Sequence, residues 1–324
     1  MKFVVTGAAG FIGSRLVESL LSEFSDASVV GIDCFTDYYP RSIKEQNRTA
    51  SSERYLFIED DLLSADLSFL QGATAIFHQA GQPGVRKSWG QEFVEYTRQN
   101  IDLTQRLLEA SLEIDTLEAF VYASSSSIYG DAERFPTTED DLPAPKSPYG
   151  VTKLAAEQLA SLYAKNFSLP TVSLRYFTVY GPGQRPDMAF NKFIRSALEG
   201  RSIEVYGDGE QIREFTHVDD IVKANILAWR KRPAPGSVIN LSGGASVSVN
   251  EVIEVIRQIH AAPIAVDYQE TALGDVRRTG GSTDLAAQLL EWKPSIDIET
   301  GLRSEYEWLS AQKTLGQADA EEWA

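Results

Sequence analysis

A doubly wound parallel α/β sheet with a smaller α/β lobe is the fold class this chain predicts, and three observations carry it. Short β-type runs alternate with amphipathic helical stretches through the first half, the pattern of parallel βαβ units. A glycine turn stands directly between the first strand and the first helix. After residue 176, glycine and proline cluster in "YGPGQRPD", "YGDGEQ" and "RPAPGS", and the elements shorten.

The elements follow in order. "KFVV" is a strand, and Phe11, Leu16, Leu20 and Leu21 give the next stretch an apolar helical face. "SVVGID", "RYLFIEDD" and "TAIFHQA" are strands, the last two separated by a short helical segment. One long helix is expected over about 90–113, then the strand "EAFVYASS". Pro148 opens a helix running towards Phe167, and "TVSLRYF" is the sixth strand. After residue 176, helices over 188–198, 219–229 and 249–260 alternate with the strands "IEVYG", "SVINLSG" and "IAVDY". Residues 311–324 read as a frayed acidic tail.

Bulk properties exclude several classes. The 324 residues hold 46 acidic against 30 basic side chains, a formal net charge of -16. That argues against non-specific binding to nucleic acid or anionic membrane. Cys34 is the single cysteine, so no internal disulfide or zinc framework is possible. The start lacks a secretory leader pattern, and no apolar run approaches the ~18 residues of a membrane span. A cytoplasmic protein is expected.

"TGAAGFIG" places Gly7, Gly10 and Gly13 after the first strand. Gly7 allows a tight turn, Gly10 admits a pyrophosphate to the backbone, and Gly13 lets the helix pack closely with its N-terminus facing the anion. A glycine trio alone is only a turn. Here it joins strand to helix, and Asp33 ends the second strand, where a carboxylate accepts hydrogen bonds from adenosine ribose. A Rossmann-type dinucleotide site is therefore expected, for NAD rather than NADP, since Asp33 would repel a 2′-phosphate. Asp61 either reaches the adenine or caps the segment at Leu62. Phe11, Ile12, Leu62 and Tyr176 complete the expected cofactor wall.

"SPYGVTKLAAEQ" sets Tyr149 and Lys153 four residues apart on one helix face. Tyrosine is a poor base at its free pKa of ~10; a nearby cation, Lys153, favours the phenolate. The serine run "SSSSIYG" brings hydroxyls to the C-terminal edge of the sheet, the ligand crevice of such folds.

TGxxGxxG, the serine run and YxxxK together resemble the extended short-chain dehydrogenase/reductase family of nucleotide-sugar epimerases and dehydratases. The resemblance spans residue 1 to about 309. It implies NAD as cofactor, Ser125, Tyr149 and Lys153 as the catalytic group, and Lys153 bonding the nicotinamide ribose. "FHQAGQ" resembles the family's HxAA element, with Gln79 and Ala80 along the cofactor and Gly81 departing from the usual alanine. Asn100 matches an asparagine behind the active-site helix. Homodimerisation through the helices near 90–113 and 149–167 is implied as well. The expected division is a NAD-binding part, 1–177 plus about 214–242, and a nucleotide-sugar lobe, 178–213 and about 243–310.

The family oxidises its sugar at C4, leaving a 4-keto intermediate. In 4,6-dehydratases an Asp and a Glu follow the catalytic hydroxyl, and UDP-glucuronate decarboxylases usually carry a Glu in the second slot. Here Ser126 and Ser127 fill both slots and cannot do that acid–base work near neutral pH. Epimerisation remains. "RYFTVYGPGQRPDMAF" resembles UDP-glucuronate 4-epimerases, whereas UDP-galactose 4-epimerases typically place asparagine where this chain has Thr178.

Arg185 then meets a sugar carboxylate as a bidentate pair, or the diphosphate beside it. Thr178, Ser126 and Ser127 join it in holding the carboxylate. Arg213 is expected at the diphosphate. One of Arg277 and Arg278 faces the phosphates, Arg277 being the choice. Asn191 and Tyr206 are expected at the uridine, and Arg86 faces the substrate or caps its loop. The rival readings are a UDP-glucose or UDP-N-acetylglucosamine 4-epimerase, a UDP-glucuronate decarboxylase, and a catalytically silent NAD(H)-binding regulator.

Overall fold

Seven β-runs form one parallel sheet because most of their residues are buried, as a sheet covered by helices on both faces requires. The computed structural model describes residues 1–131, 134–243, 246–270 and 278–315. In chain order the first half runs β1 (Lys2–Thr6), α1 (Phe11–Glu23), β2 (Ser28–Asp33), α2 (Arg41–Asn47), β3 (Tyr55–Glu59), β4 (Ala75–His78), α3 (Phe93–Thr97), α4 (Leu103–Ser111), β5 (Ala119–Ser125), α5 (Pro148–Phe167) and β6 (Thr171–Tyr176). The second half runs β7 (Thr178–Tyr180), α6 (Ala189–Glu199), β8 (Ile203–Tyr206), β9 (Ile212–His217), α7 (Val218–Lys231), β10 (Ser237–Leu241), β11 (Ser246–Ser248), α8 (Val249–His260), β12 (Val266–Gln269), β13 (Arg278–Thr279), α9 (Asp284–Leu290) and α10 (Ile298–Leu315).

The large sheet has the order β10-β6-β5-β4-β1-β2-β3. This is the doubly wound Rossmann arrangement, whose strand order reverses beside β1 and leaves a crevice at the strands' C-terminal ends. β10 extends it as a seventh strand, parallel to β6. One apolar core joins the sheet to α1, α7 and α9, with Phe3, Phe24 and Trp229 packed edge to face. A second core on the other face draws on α4 and α5. A third, smaller core lies away from the sheet: Phe190, Ile194, Val252, Ile256, Leu302 and Leu309 come from α6, α8 and α10.

Local chemistry starts the helices where the site needs them. Ser147 caps α5, its hydroxyl accepting from Gly150 N–H at 3.1 Å, and Pro148 supplies the pre-set first turn. α8 begins with a reciprocal Ser248–Glu251 capping box. Two of the expected segments are built otherwise than read, and α2, β7, β9, β11, β13 and α9 were not expected. The single helix expected over 90–113 is α3 and α4 joined by a π-helical turn, Arg98–Asp102. The wider turn lets two consecutive polar residues, Gln99 and Asn100, face inward together. α10 also runs to Leu315, into the segment read as a tail, because Leu302 and Leu309 bury on the third core.

Candidate active site

The C-terminal ends of β1, β2, β4, β5 and β6 open into one cavity. Its floor is the glycine turn. Gly7 adopts φ +68, and a Cβ there would fall 2.9 Å from the backbone nitrogen of Ala80. A Cβ at Gly13 would collide with the Gly7 carbonyl. The backbone is thus bare at the spot where an anion approaches. α1 starts from Gly10 with no side-chain cap, so its first N–H groups remain to be satisfied from outside. Phe11 and Ile12 line the same wall.

At the next strand end, Asp33 accepts from Ala9 N–H at 3.2 Å and Phe35 N–H at 2.8 Å, which fixes its carboxylate at the cavity edge. Asp61 and Leu62 line the cavity beside it, and Asp61 also accepts from Leu63 N–H at 2.9 Å. Gln79, Ala80 and Tyr176 form the far wall. There the Tyr176 hydroxyl bonds Gln79 Oε1 at 3.1 Å, and Gln79 Nε2 donates to Asn225 Oδ1 at 3.0 Å. A bare glycine cradle, an uncapped helix start and an acid at the second strand's end suit a dinucleotide.

Tyr149 and Lys153 project from α5 into this cavity. Tyr149 faces Ser125, whose hydroxyl acts on the phenol. Ser125 is itself held by the one-turn helix after β5, its hydroxyl accepting from Ser127 N–H at 3.1 Å. Burial pushes the Tyr149 phenol above its ordinary value, while the Ser125 hydroxyl and the charge of Arg185 pull it back. Lys153 was the cation expected to bias the phenol, and the charge of Arg185 acts in the same direction.

Lys153 is buried, and its ammonium donates to the Ala123 carbonyl at 2.7 Å. Burial lowers its pKa from 10.5 to about 8. Between those values the unfolded chain binds more protons than the folded one, so folded stability rises with pH across that window. From pH 7 to pH 10 the wild type is expected to gain about 2 kcal/mol relative to Lys153→Met. Thermal melts of both proteins at the two pH values check this. An unchanged difference would remove the argument.

Behind these groups lies a buried polar frame. Ser124 donates to Glu157 Oε2 at 2.6 Å, and Arg175 takes both Glu157 oxygens, at 2.9 and 2.7 Å. Glu157 stands one turn beyond Lys153, so the frame locks the Tyr149–Lys153 face of α5 to β5 and β6. Asn100 belongs to the support rather than the wall. Its side chain accepts from Gln82 N–H at 2.8 Å and donates to the Gln82 carbonyl and to Thr152 Oγ1. Gly81, the departure from the family's alanine, has a reason: a Cβ there would sit 2.8 Å from Asn100 Oδ1.

The expected substrate residues divide. Arg185 lines the cavity. Ser126, Ser127 and Thr178 are half-buried at the adjoining ends of β5 and β7. Arg86 and Tyr206, far apart in sequence, meet with the guanidinium 5.1 Å from the ring centre. Arg213 is half-buried on β9 and donates to the carbonyl of Ile212. Asn191 is placed otherwise than expected. It is fully buried, its amide donating to the Gln184 carbonyl and accepting from Arg195 Nε, both at 2.8 Å. It anchors the turn that carries Arg185. Arg277 lies outside the described residues, while Arg278 stacks on Phe135.

Lys44, Tyr38 and Tyr39 line the cavity without having been singled out in the sequence. Lys44 is buried 3.6 Å from Asp33 Oδ1. The aromatic, proline-ended turn "FTDYYP" was the signal available. His78 is sealed between Thr6 and Thr104, and burial holds it near pKa 3, neutral and packed. Among the described residues no His, Cys, Asp and Glu cluster suits a metal ion. No described helix is long and apolar enough to cross a membrane.

A model of the NAD dependent epimerase/dehydratase family matches residues 3–242. The chain belongs to this family. Within it, similarity extends over nearly the full length. A Bacillus subtilis protein described as an uncharacterized UDP-glucose epimerase, YtcB, is 41% identical over 96% of this chain and 98% of its own length. A UDP-glucuronate 4-epimerase of Thermodesulfobacterium geofontis is 36% identical over 94% of this chain and 95% of its own. The crystal structure of a UDP-glucuronic acid 4-epimerase from Bacillus cereus, with UDP-glucuronic acid and NAD, superposes at a TM-score of 0.92. It is 41% identical and covers 96% of this chain and 100% of that one.

Proposed function

We propose that this protein is a cytoplasmic, NAD-dependent UDP-glucuronate 4-epimerase that interconverts UDP-glucuronate and UDP-galacturonate and works as a homodimer. One observation carries the choice of sugar: Arg185 lines the same cavity as Tyr149 and acts electrostatically on its phenol. A sugar reacting at C4 under Tyr149 then has its C5 carboxylate within reach of a guanidinium, which pairs with carboxylates in a charge-assisted, directional way. The homodimer is supported by exposed apolar side chains on two adjacent helices, Val94 on α3 and Val151 and Leu162 on α5.

The dinucleotide would rest its pyrophosphate on Gly7, Gly10 and the start of α1, its adenosine ribose on Asp33, and its nicotinamide end against Tyr149, Lys153 and Tyr176. NAD, when bound, supplies the hydride acceptor at C4 and the means of returning it. Tyr149 takes the O4 proton through the Ser125 hydroxyl and later gives it back. Lys153 holds the nicotinamide ribose. The 4-keto sugar is a β-keto acid and loses carbon dioxide readily when the breaking bond aligns with the carbonyl π system. Thr178, Ser126, Ser127 and Arg185 hold the carboxylate out of that alignment.

The test is incubation of purified protein with UDP-glucuronate and no added NAD, followed by separation of the UDP-sugars and light scattering on the same sample. UDP-galacturonate from a dimer is the expected result. A UDP-pentose as main product would overturn the reading.

A further inference from the structure

The motif "RPDMA" contains a second charge that the mechanism above does not use. Asp187 grips Arg185 with both carboxylate oxygens. Arg185 Nε donates to Oδ1 at 2.9 Å and Nη2 to Oδ2 at 3.1 Å. The two residues share one turn, closed by Met188 N–H on the Arg185 carbonyl at 3.1 Å, with Pro186 between them. The Tyr38 hydroxyl reaches Asp187 Oδ2 from the segment after β2 at 3.4 Å, and the guanidinium lies 5.7 Å from the Tyr38 ring centre. Arg185 lines the cavity, whereas Asp187 is not among the lining residues and its side chain is 36% exposed.

A guanidinium has five N–H groups in a planar fork. Asp187 occupies one edge, Nε with one Nη2 hydrogen. The opposite edge, both Nη1 hydrogens and the second Nη2 hydrogen, stays available to a second carboxylate. We propose that Asp187 is a positioning and specificity-determining residue: it aims the free edge of Arg185 at the sugar's C5 substituent and offsets its charge, limiting how strongly the site prefers an acid sugar to a neutral one. This rests on the functional reading above and deepens it. With Asp187 ionised, a hydroxymethyl sugar enters beside a paired arginine, and no uncompensated cation is left in the closed site. An acid sugar adds a second carboxylate to one guanidinium and gains less than it would from an unpaired one.

The expected effect of Asp187→Asn is therefore a gain of selectivity. The variant keeps an acceptor for Arg185 Nε and loses the charge. The ratio of kcat/KM for UDP-glucuronate over UDP-glucose should rise about fivefold or more, through a lower KM for the acid. Its kcat on the acid should stay within about threefold. Asp187→Glu, which keeps the charge, should stay within about twofold of the wild-type ratio. Calorimetric binding of UDP-glucuronate, UDP-glucose and UDP to the NAD-loaded wild type and both variants reads the same ratio without turnover. A loop merely damaged by substitution loses selectivity. An unchanged or lower ratio in Asp187→Asn, or an equal rise in Asp187→Glu, overturns the proposal. A wild type that does not itself prefer the acid overturns the functional reading instead.

Discussion

Tyr149→Phe is expected to cut kcat on UDP-glucuronate by about 10³-fold while leaving NAD and UDP-sugar binding within a few fold. The phenol is the titratable group that lies in the cavity and faces Ser125, so removing its oxygen takes away both proton acceptor and proton relay. General acid–base groups of this kind contribute 10²- to 10⁴-fold. Binding should survive because the ring keeps its edge contact with Tyr96, 6.2 Å between centres. Single-turnover measurement of cofactor reduction, read by its absorbance, checks the chemical step. A variant retaining full turnover would remove Tyr149 from the mechanism.

Arg185→Ala is expected to lower kcat/KM for UDP-glucuronate by about 10²-fold, the scale of losing a charge-assisted pair worth about 3 kcal/mol. The neutral UDP-glucose should lose only a few fold. That smaller loss has its own cause. Arg185 pulls the Tyr149 phenol down, so without it the alkaline shift of the rate profile should appear with both sugars. A second signature should accompany the first: a larger share of UDP-pentose among the products, because the carboxylate is no longer held away from the carbonyl π system. Equal losses on acid and neutral sugars would move Arg185 from the carboxylate to the diphosphate.

How much of this was legible in the sequence depended on how local the signal was. The glycine turn, Asp33 and the Tyr149–Lys153 pair are each set by neighbours within one turn or one βα unit, and the structure brings these residues to one cavity. The doubly wound parallel sheet followed from the alternation of strands and helices. Contacts that depend on distant chain segments were not legible. Lys44 reaches Asp33 only because α2 folds back over the end of β2. That the Asn191 amide bonds Gln184 and Arg195 could not be read from the sequence either. The π-helical turn carries no periodic signature, since one extra residue per turn blurs the apolar spacing without breaking it.

The third core draws its buried residues from β7, α6, β8, α8 and α10, with Phe215 of β9 packed against it, while α7, β10 and α9 intervene along the chain. A single crossover that falls within residues 180–309 divides this core between two parents. A recombinant carrying another relative's α6 would have to find matching partners on α8 and α10. If Arg185 chooses the sugar, point substitutions in the short turn that joins β7 to α6 can alter that choice without disturbing this core. The turn's own sequence is free to drift only while the scattered pieces beneath it keep fitting one another.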